Sequence, residues 1–78
     1  MERLSQDELK AHLLETNEEF RRLATAHTEY ARKIQAIESE PHPSEEQQIE
    51  EIKLKKLKLH AKDLMAAMLN RHRSEVLQ

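Results

Sequence analysis

Two prolines near the middle of the chain, Pro41 and Pro43, most constrain how this sequence folds. Each proline lacks a backbone N–H and pushes the preceding residue toward extended geometry, so no helix continues through this segment. On both sides of the prolines, apolar residues recur every three or four positions, and no stretch alternates as a strand does. The sequence therefore predicts an all-α fold, an antiparallel helical hairpin closed by a short turn.

Capping signals indicate where the helices begin. Three pairs have the spacing of a capping box, in which a hydroxyl and a carboxylate or amide satisfy free backbone N–H groups at a helix start. These pairs are Ser5 with Glu8, Thr16 with Glu19, and Ser44 with Gln47. Leu4 and Leu9 flank the first pair at the spacing of a hydrophobic staple. A helix is therefore expected to start just after each of the three hydroxyl residues.

We predict one domain over residues 1–78 that contains a short N-terminal helix and two long helices. The predicted elements are a helix at about 6–15, a helix at about 17–40, a turn at 41–44 and a helix at about 45–72. A single bent or continuous helix in place of the first two is the alternative, because Leu9 and Leu13 keep the spacing of the apolar residues that follow.

Apolar side chains of the first half form one regular stripe. They are 3, 4, 3, 4 and 3 residues apart, the spacing of a coiled-coil seam, and comprise Phe20, Leu23, His27, Tyr30, Ile34 and Ile37. The last helix has two apolar groups instead. The first comprises Leu54, Leu57, Ala61, Leu64 and Met68, and the second comprises Ile49, Ile52, Leu59 and Ala66. A helix with two apolar faces is expected to have two partners.

One expected partner is the preceding helix of the same hairpin, and the other is a second copy of the chain. Seventy-eight residues bury only a small core, and a chain without cysteine has no disulfide to reinforce it. Self-association is the remaining common device. We predict a homodimer with a four-helix-bundle core, with a tetramer as the second choice and an unidentified protein partner as a further hypothesis.

Composition excludes several function classes. The chain has no glycine for a phosphate-binding loop, a nucleophile elbow or a dinucleotide fingerprint, and it has no cysteine for a thiolate site. Its longest uncharged run, residues 64–70, is far shorter than a membrane span. We therefore expect a cytoplasmic protein that is not an enzyme, with no catalytic residues, cofactor, metal or membrane contact.

One histidine lies within the first seam. Across the hairpin, His27 should lie level with residues 57–61, so His27 and His60 are candidates for an interhelical metal pair. We favour a structural histidine that hydrogen-bonds to a neighbour such as Asp63. Such a histidine makes stability depend on pH at about pH 6–7.

Five lysines lie within one short window of the last helix: Lys53, Lys55, Lys56, Lys58 and Lys62. A basic helical face can contact phosphate, so binding of nucleic acid or of an acidic partner is the alternative function. The net charge of −2 disfavours this alternative. We expect lysines that are solvated or paired with glutamates. The favoured hypothesis is a structural or protein–protein interaction module.

A family resemblance rests on two segments. The first is the seam from Phe20 to Ile37, and the second is the run Leu54-Lys55-Lys56-Leu57-Lys58-Leu59-x-x-Lys62-Asp63. Over about residues 8–70, the chain resembles the YdcH-like family of small bacterial proteins, a domain-of-unknown-function family. The resemblance implies an antiparallel hairpin that pairs into a dimeric bundle in the bacterial cytoplasm, without assigned enzymatic activity. It also implies a recurring structural or pairing role for His27.

Overall fold

The structure, a computed structural model, describes residues 5–76, with side chains through residue 73. Within this range the chain forms three α-helices and no strand, which confirms the all-α prediction. The helices are α1 (Gln6–Thr16), α2 (Glu18–Glu38) and α3 (Glu45–Val76). The predicted staple includes Leu4 and therefore lies outside the described residues.

Reciprocal side-chain bonds cap the starts of α1 and α3. The Glu8 N–H donates to Ser5 Oγ at 3.1 Å, and the Ser5 N–H donates to Glu8 Oε1 at 3.3 Å. The Gln47 N–H donates to Ser44 Oγ at 3.1 Å, and the Ser44 N–H donates to Gln47 Oε1 at 2.8 Å. Both capping boxes are confirmed, and each satisfies N–H groups that have no partner within the helix.

A single extended residue, Asn17, separates α1 from α2. Its backbone has φ −119° and ψ 112°, and its Oδ1 accepts a hydrogen bond from the Phe20 N–H at 2.9 Å. The predicted capping box at Thr16 is therefore wrong. The Thr16 hydroxyl donates instead to the His12 carbonyl at 2.8 Å, within α1. The two helices are distinct, and the cap lies one residue later than the sequence pattern indicated.

Helix α1 folds back against the hairpin. The Arg21 guanidinium donates to the carbonyl oxygens of Leu14 at 2.9 Å and Glu15 at 3.0 Å, in the last turn of α1. These bonds satisfy free carbonyls and place a positive charge at the negative end of the helix dipole. In the same helix Leu9 and Leu13 are buried, Leu13 completely. The N-terminal helix is thus packed on the hairpin.

Helix lengths explain why α1 is needed. At about 1.5 Å per residue, the 32-residue α3 is about 48 Å long, whereas the 21-residue α2 is about 31 Å long. Near the turn, α2 and α3 bury a small cluster of Ile34, Ile37 and Leu54, with Tyr30 packed against it. At the far end, a second buried cluster includes residues of α1 as well as of α2 and α3. It comprises Leu9, Leu13, Phe20, Met65, Met68 and Leu69.

The buried stripe of α3 differs from the predicted seam. Leu54, Ala61 and Met68 are buried as expected, but Leu57 and Leu64 remain 46% and 40% exposed. Met65 and Leu69 take their place in the core. Because α1 packs along one edge of α3, the buried stripe is displaced toward that edge, and Leu57 and Leu64 are left on the opposite edge.

The Asn17 cap yields a direct test. Replacing Asn17 with alanine removes the acceptor for the Phe20 N–H and should lower the free energy of unfolding by about 1 kcal/mol. Urea denaturation followed by circular dichroism measures this change. Thr16→Ala is the matched control, with an expected change within about 0.5 kcal/mol. A larger loss for Thr16→Ala than for Asn17→Ala would mean that Thr16 caps α2.

Candidate functional site

All large exposed apolar side chains among the described residues lie on α3. They are Ile49, Ile52, Leu57, Leu59 and Leu64, and their exposed fractions range from 40% to 58%. Scattered exposed leucines are ordinary on a protein surface, whereas a contiguous apolar patch marks an interaction site. The distribution of these five side chains on one helix therefore makes α3 the candidate site.

The outer face of α3 has a regular spacing. We define it as the exposed residues separated by 3, 4, 3, 4 and 3 positions: Ile49, Ile52, Lys56, Leu59, Asp63 and Ala66. This spacing is that of a coiled-coil seam, with one cation and one carboxylate among the apolar positions. Beside it, Ile49, Leu54 and Leu57 line a groove of about 460 Å³. The groove is flanked by charged residues of the same helix, Glu46, Glu50 and Lys53.

The five lysines of the 53–62 window, for which a basic helical face is the alternative prediction, do not all lie in the same environment. Lys55 pairs with Glu38 at 3.5 Å and with Glu51 at 3.7 Å. Lys53 lines the groove beside Leu57, and Lys56 lies on the outer face. Lys58 and Lys62 line a common cleft. The expectation of glutamate pairing therefore holds for Lys55, and the five lysines occupy four different environments.

Lys58 and Lys62 line a cleft where all three helices meet. This cleft, of about 500 Å³, is lined by Lys10 and Leu14 of α1, by three residues of α2 and by three of α3. The α2 residues are Ala24, His27 and Thr28, and the α3 residues are Lys58, Lys62 and Met65. We call it the cationic cleft. Sequence reasoning missed Lys10, because its place depends on the fold-back of α1 at Asn17.

His27 lies in a positive environment. Burial lowers the pKa of His27 below its ordinary value of 6.5, and the nearby charges of Lys58, Lys10 and Lys62 lower this pKa further. On α2 itself, the residues one turn away are uncharged: Leu23, Ala24, Tyr30 and Ala31. His60 and Asp63 are exposed and do not line the cleft. The structure thus places lysines beside His27, where the sequence suggested Asp63.

A match to one protein-family profile identifies the family to which this chain belongs. The profile of a family described as "Protein of unknown function (DUF465)" matches residues 20–69. The chain belongs to this family. The match begins at Phe20 and ends at Leu69, two residues buried in the same core cluster, so the DUF465 segment covers most of the α2–α3 hairpin. The YdcH-like resemblance is thereby confirmed, since YdcH-like proteins belong to DUF465.

Two further comparisons add no relatives to this DUF465 chain. Neither the curated proteins nor the solved structures include a match. Over residues 5–76, none of the helices combines the length and the apolar character needed to cross a membrane. The outer face and the cationic cleft are therefore the two surfaces of the chain that bear on its function.

The lowered pKa of His27 predicts how stability depends on pH. The unfolded chain binds the His27 proton more readily than the folded protein, so stability is complete above about pH 6.5 and falls as the pH drops through the folded-state pKa. We expect His27→Gln to lose less stability than the wild type between about pH 7.5 and pH 5.5. Urea denaturation at each pH measures the difference.

His60→Gln is the matched control for this experiment. Its side chain is exposed on α3 and does not line the cationic cleft, so it should keep the wild-type pH dependence. Equal pH slopes for His27→Gln and the wild type would contradict the assignment.

Proposed function

We propose that this DUF465 chain is a non-enzymatic protein–protein interaction module that forms a homodimer through the outer face of α3. The observation that most directly supports this proposal is the row of exposed apolar residues at coiled-coil spacing, Ile49, Ile52 and Leu59. In the proposed dimer, α2 and α3 of two copies form a four-helix core. The resemblance to small bacterial proteins and the absence of cysteine support a location in the bacterial cytoplasm.

The shape of a single copy supports self-association. Its radius of gyration is 16.0 Å, compared with about 11.5 Å for a compact domain of this length, and its dimensions are 54 × 19 × 16 Å. Ten apolar residues are buried among those described. A thin rod of this kind leaves one side of its longest helix uncovered. A second copy offers the same uncovered face, as a two-fold interface requires.

Charges on the outer face favour an antiparallel pairing of the two α3 helices. In a parallel pair, Lys56 would face Lys56 of the second copy, and Asp63 would face Asp63, which places like charges together. An antiparallel crossing centred between Leu59 and His60 puts Lys56 opposite Asp63 of the second copy. The same arrangement brings Ile52 close to Ala66 of that copy, so a large side chain packs against a small one.

A carboxylate at the centre of the proposed interface should separate the two copies. Leu59 is 58% exposed in one copy, so Leu59→Glu leaves the core of the protomer intact. In the dimer it buries two like charges near the two-fold axis and removes apolar contacts, which should raise the dimer dissociation constant by about 100-fold or more. Sedimentation equilibrium across a wide concentration range measures this constant.

Ala36→Glu provides the control for Leu59→Glu. It adds the same charge at an exposed position of α2, away from the outer face, and should leave the dissociation constant nearly unchanged. Circular dichroism on the same samples shows whether helicity persists in the separated copies. A wild-type chain that stays monomeric at high concentration would refute the homodimer and leave the outer face to a foreign helix.

A charge exchange tests the orientation. Lys56→Asp alone and Asp63→Lys alone each create a like-charge contact in the antiparallel dimer, and each should weaken association by about tenfold. The double variant K56D/D63K restores opposite charges and should recover the wild-type dissociation constant within about threefold. Sedimentation equilibrium of all four proteins gives the comparison. Weakening by both single changes without recovery in the double variant would contradict the antiparallel arrangement.

A nucleic-acid accessory role is the second proposal, and the structure gives it less support. A duplex or single strand is held by a continuous run of cations. Here Glu38 and Glu51 pair with Lys55, while Lys53 lines the groove and Lys56 lies on the outer face. The cluster around Lys58 and Lys62 is confined to a cleft, which suits a smaller anion.

A further inference from the structure

We propose that the cationic cleft binds a small organic phosphate, a phosphate monoester that carries a compact apolar group. The proposal goes beyond the dimer and concerns a different surface of the chain. It rests on the side chains that three helices bring together at one place: three lysines, a histidine and an apolar floor.

Over residues 5–73, the lysines of the cleft form no ion pair with a carboxylate. Ion pairs among the described residues use the cations Arg22, Arg32 and Lys55, and none uses Lys10, Lys58 or Lys62. Among the residues whose side chains the structure describes, no carboxylate lines the cleft. Asp7 lines the adjoining cavity, which shares Lys10, Lys62 and Met65 with the cleft. The positive charge is therefore greatest on the side of His27.

His27 lies in the positive electrostatic field of the three cleft lysines. Burial and the charges of Lys58, Lys10 and Lys62 together lower its pKa. Bringing three like charges into one concave site costs free energy that a bound anion offsets. A phosphate monoester carries nearly two negative charges at neutral pH and several acceptor oxygens, and lysine is a common phosphate ligand. It complements three ammonium groups better than a single carboxylate does.

The floor of the cleft determines what else the ligand contains. Leu14, Ala24 and Met65 supply apolar surface between the lysines. The cleft volume of about 500 Å³ lies within the range of small-molecule sites. Inorganic phosphate would leave this floor exposed to water, whereas an ester with a ring or short alkyl group would cover it. The geometry thus favours an amphipathic phosphate over the free ion.

Titration with phenyl phosphate tests the proposal, with inorganic phosphate and benzyl alcohol as the probes for each half of the ligand. Isothermal titration calorimetry should show saturable binding of one phenyl phosphate per chain. Inorganic phosphate should bind at least about fivefold more weakly, and benzyl alcohol should not bind detectably. Equal affinity for inorganic and phenyl phosphate would overturn the role of the apolar floor, and absence of saturable binding would overturn the site.

A charge-matched pair of variants identifies the lysines responsible. K58Q/K62Q removes two cleft cations and should weaken phenyl phosphate binding by at least about tenfold. K33Q/R71Q removes two exposed cations outside the cleft and should keep the affinity within about twofold. Removing like charges relieves repulsion, so K58Q/K62Q should fold, as circular dichroism will show. Equal weakening in both variants would mean that only the net charge matters.

The ring signals of His27 give a readout that does not depend on calorimetry. Bound phosphate opposes the field of the three lysines, so saturation with phenyl phosphate should raise the pKa of His27 in an NMR titration. An unchanged His27 titration would place the phosphate elsewhere.

If a single-stranded RNA oligomer binds far more tightly than phenyl phosphate and loses that affinity in K58Q/K62Q, the cleft is a nucleic-acid contact and the proposal fails.

The same titration with Leu59→Glu separates this proposal from the homodimer. One copy supplies every lining residue, so a monomeric variant should bind phenyl phosphate as the wild type does. Unchanged affinity supports the cleft whether or not the wild type dimerises. Loss of binding on separation would overturn the claim that one chain forms the complete site.

Discussion

The length of α3 governs the rest of the structure. A helix of 32 residues extends well beyond the 21 residues of α2, so two core clusters form along it instead of one. The cluster near the turn needs only the hairpin. The distant cluster needs a third helix, and α1 supplies it through Leu9 and Leu13. Even with both helices packed against it, α3 has more apolar surface than one chain covers, which leaves the outer face exposed.

Local features of this fold could be predicted from the sequence, because the interactions that produce them span only a few residues. The capping boxes at Ser5 and Ser44 each depend on a bond to a residue three positions later. The turn follows from the chemistry of proline. The residue at which α2 begins is harder to predict from the sequence, because Thr16 and Asn17 are adjacent and both are good caps. Packing of α1 against the hairpin is consistent with a break at Asn17.

Features that depend on the path of α1 could not be predicted. The seam at Leu57 and Leu64 has the correct spacing, yet Met65 and Leu69 are buried because α1 packs on that edge of α3. The cationic cleft could not be predicted from the sequence for the same reason. Two of its lysines were recognised from their spacing, but Lys10 lies far away in sequence and reaches them only through the turn at Asn17. Spacing along one helix carries no information about a neighbour that arrives from another segment.

The packed position of α1 is stabilised by apolar burial and hydrogen bonds and is opposed by repulsion between lysines. Burial of Leu9 and Leu13, together with the Arg21 bonds to the last turn, stabilises the packed position of the helix. The same position brings Lys10 toward Lys58 and Lys62, where like charges repel. Apolar packing prevails because both leucines are buried, whereas the lysine charges remain partly hydrated. An anion bound in the cleft as proposed would offset this repulsion and so stabilise the packed position of α1.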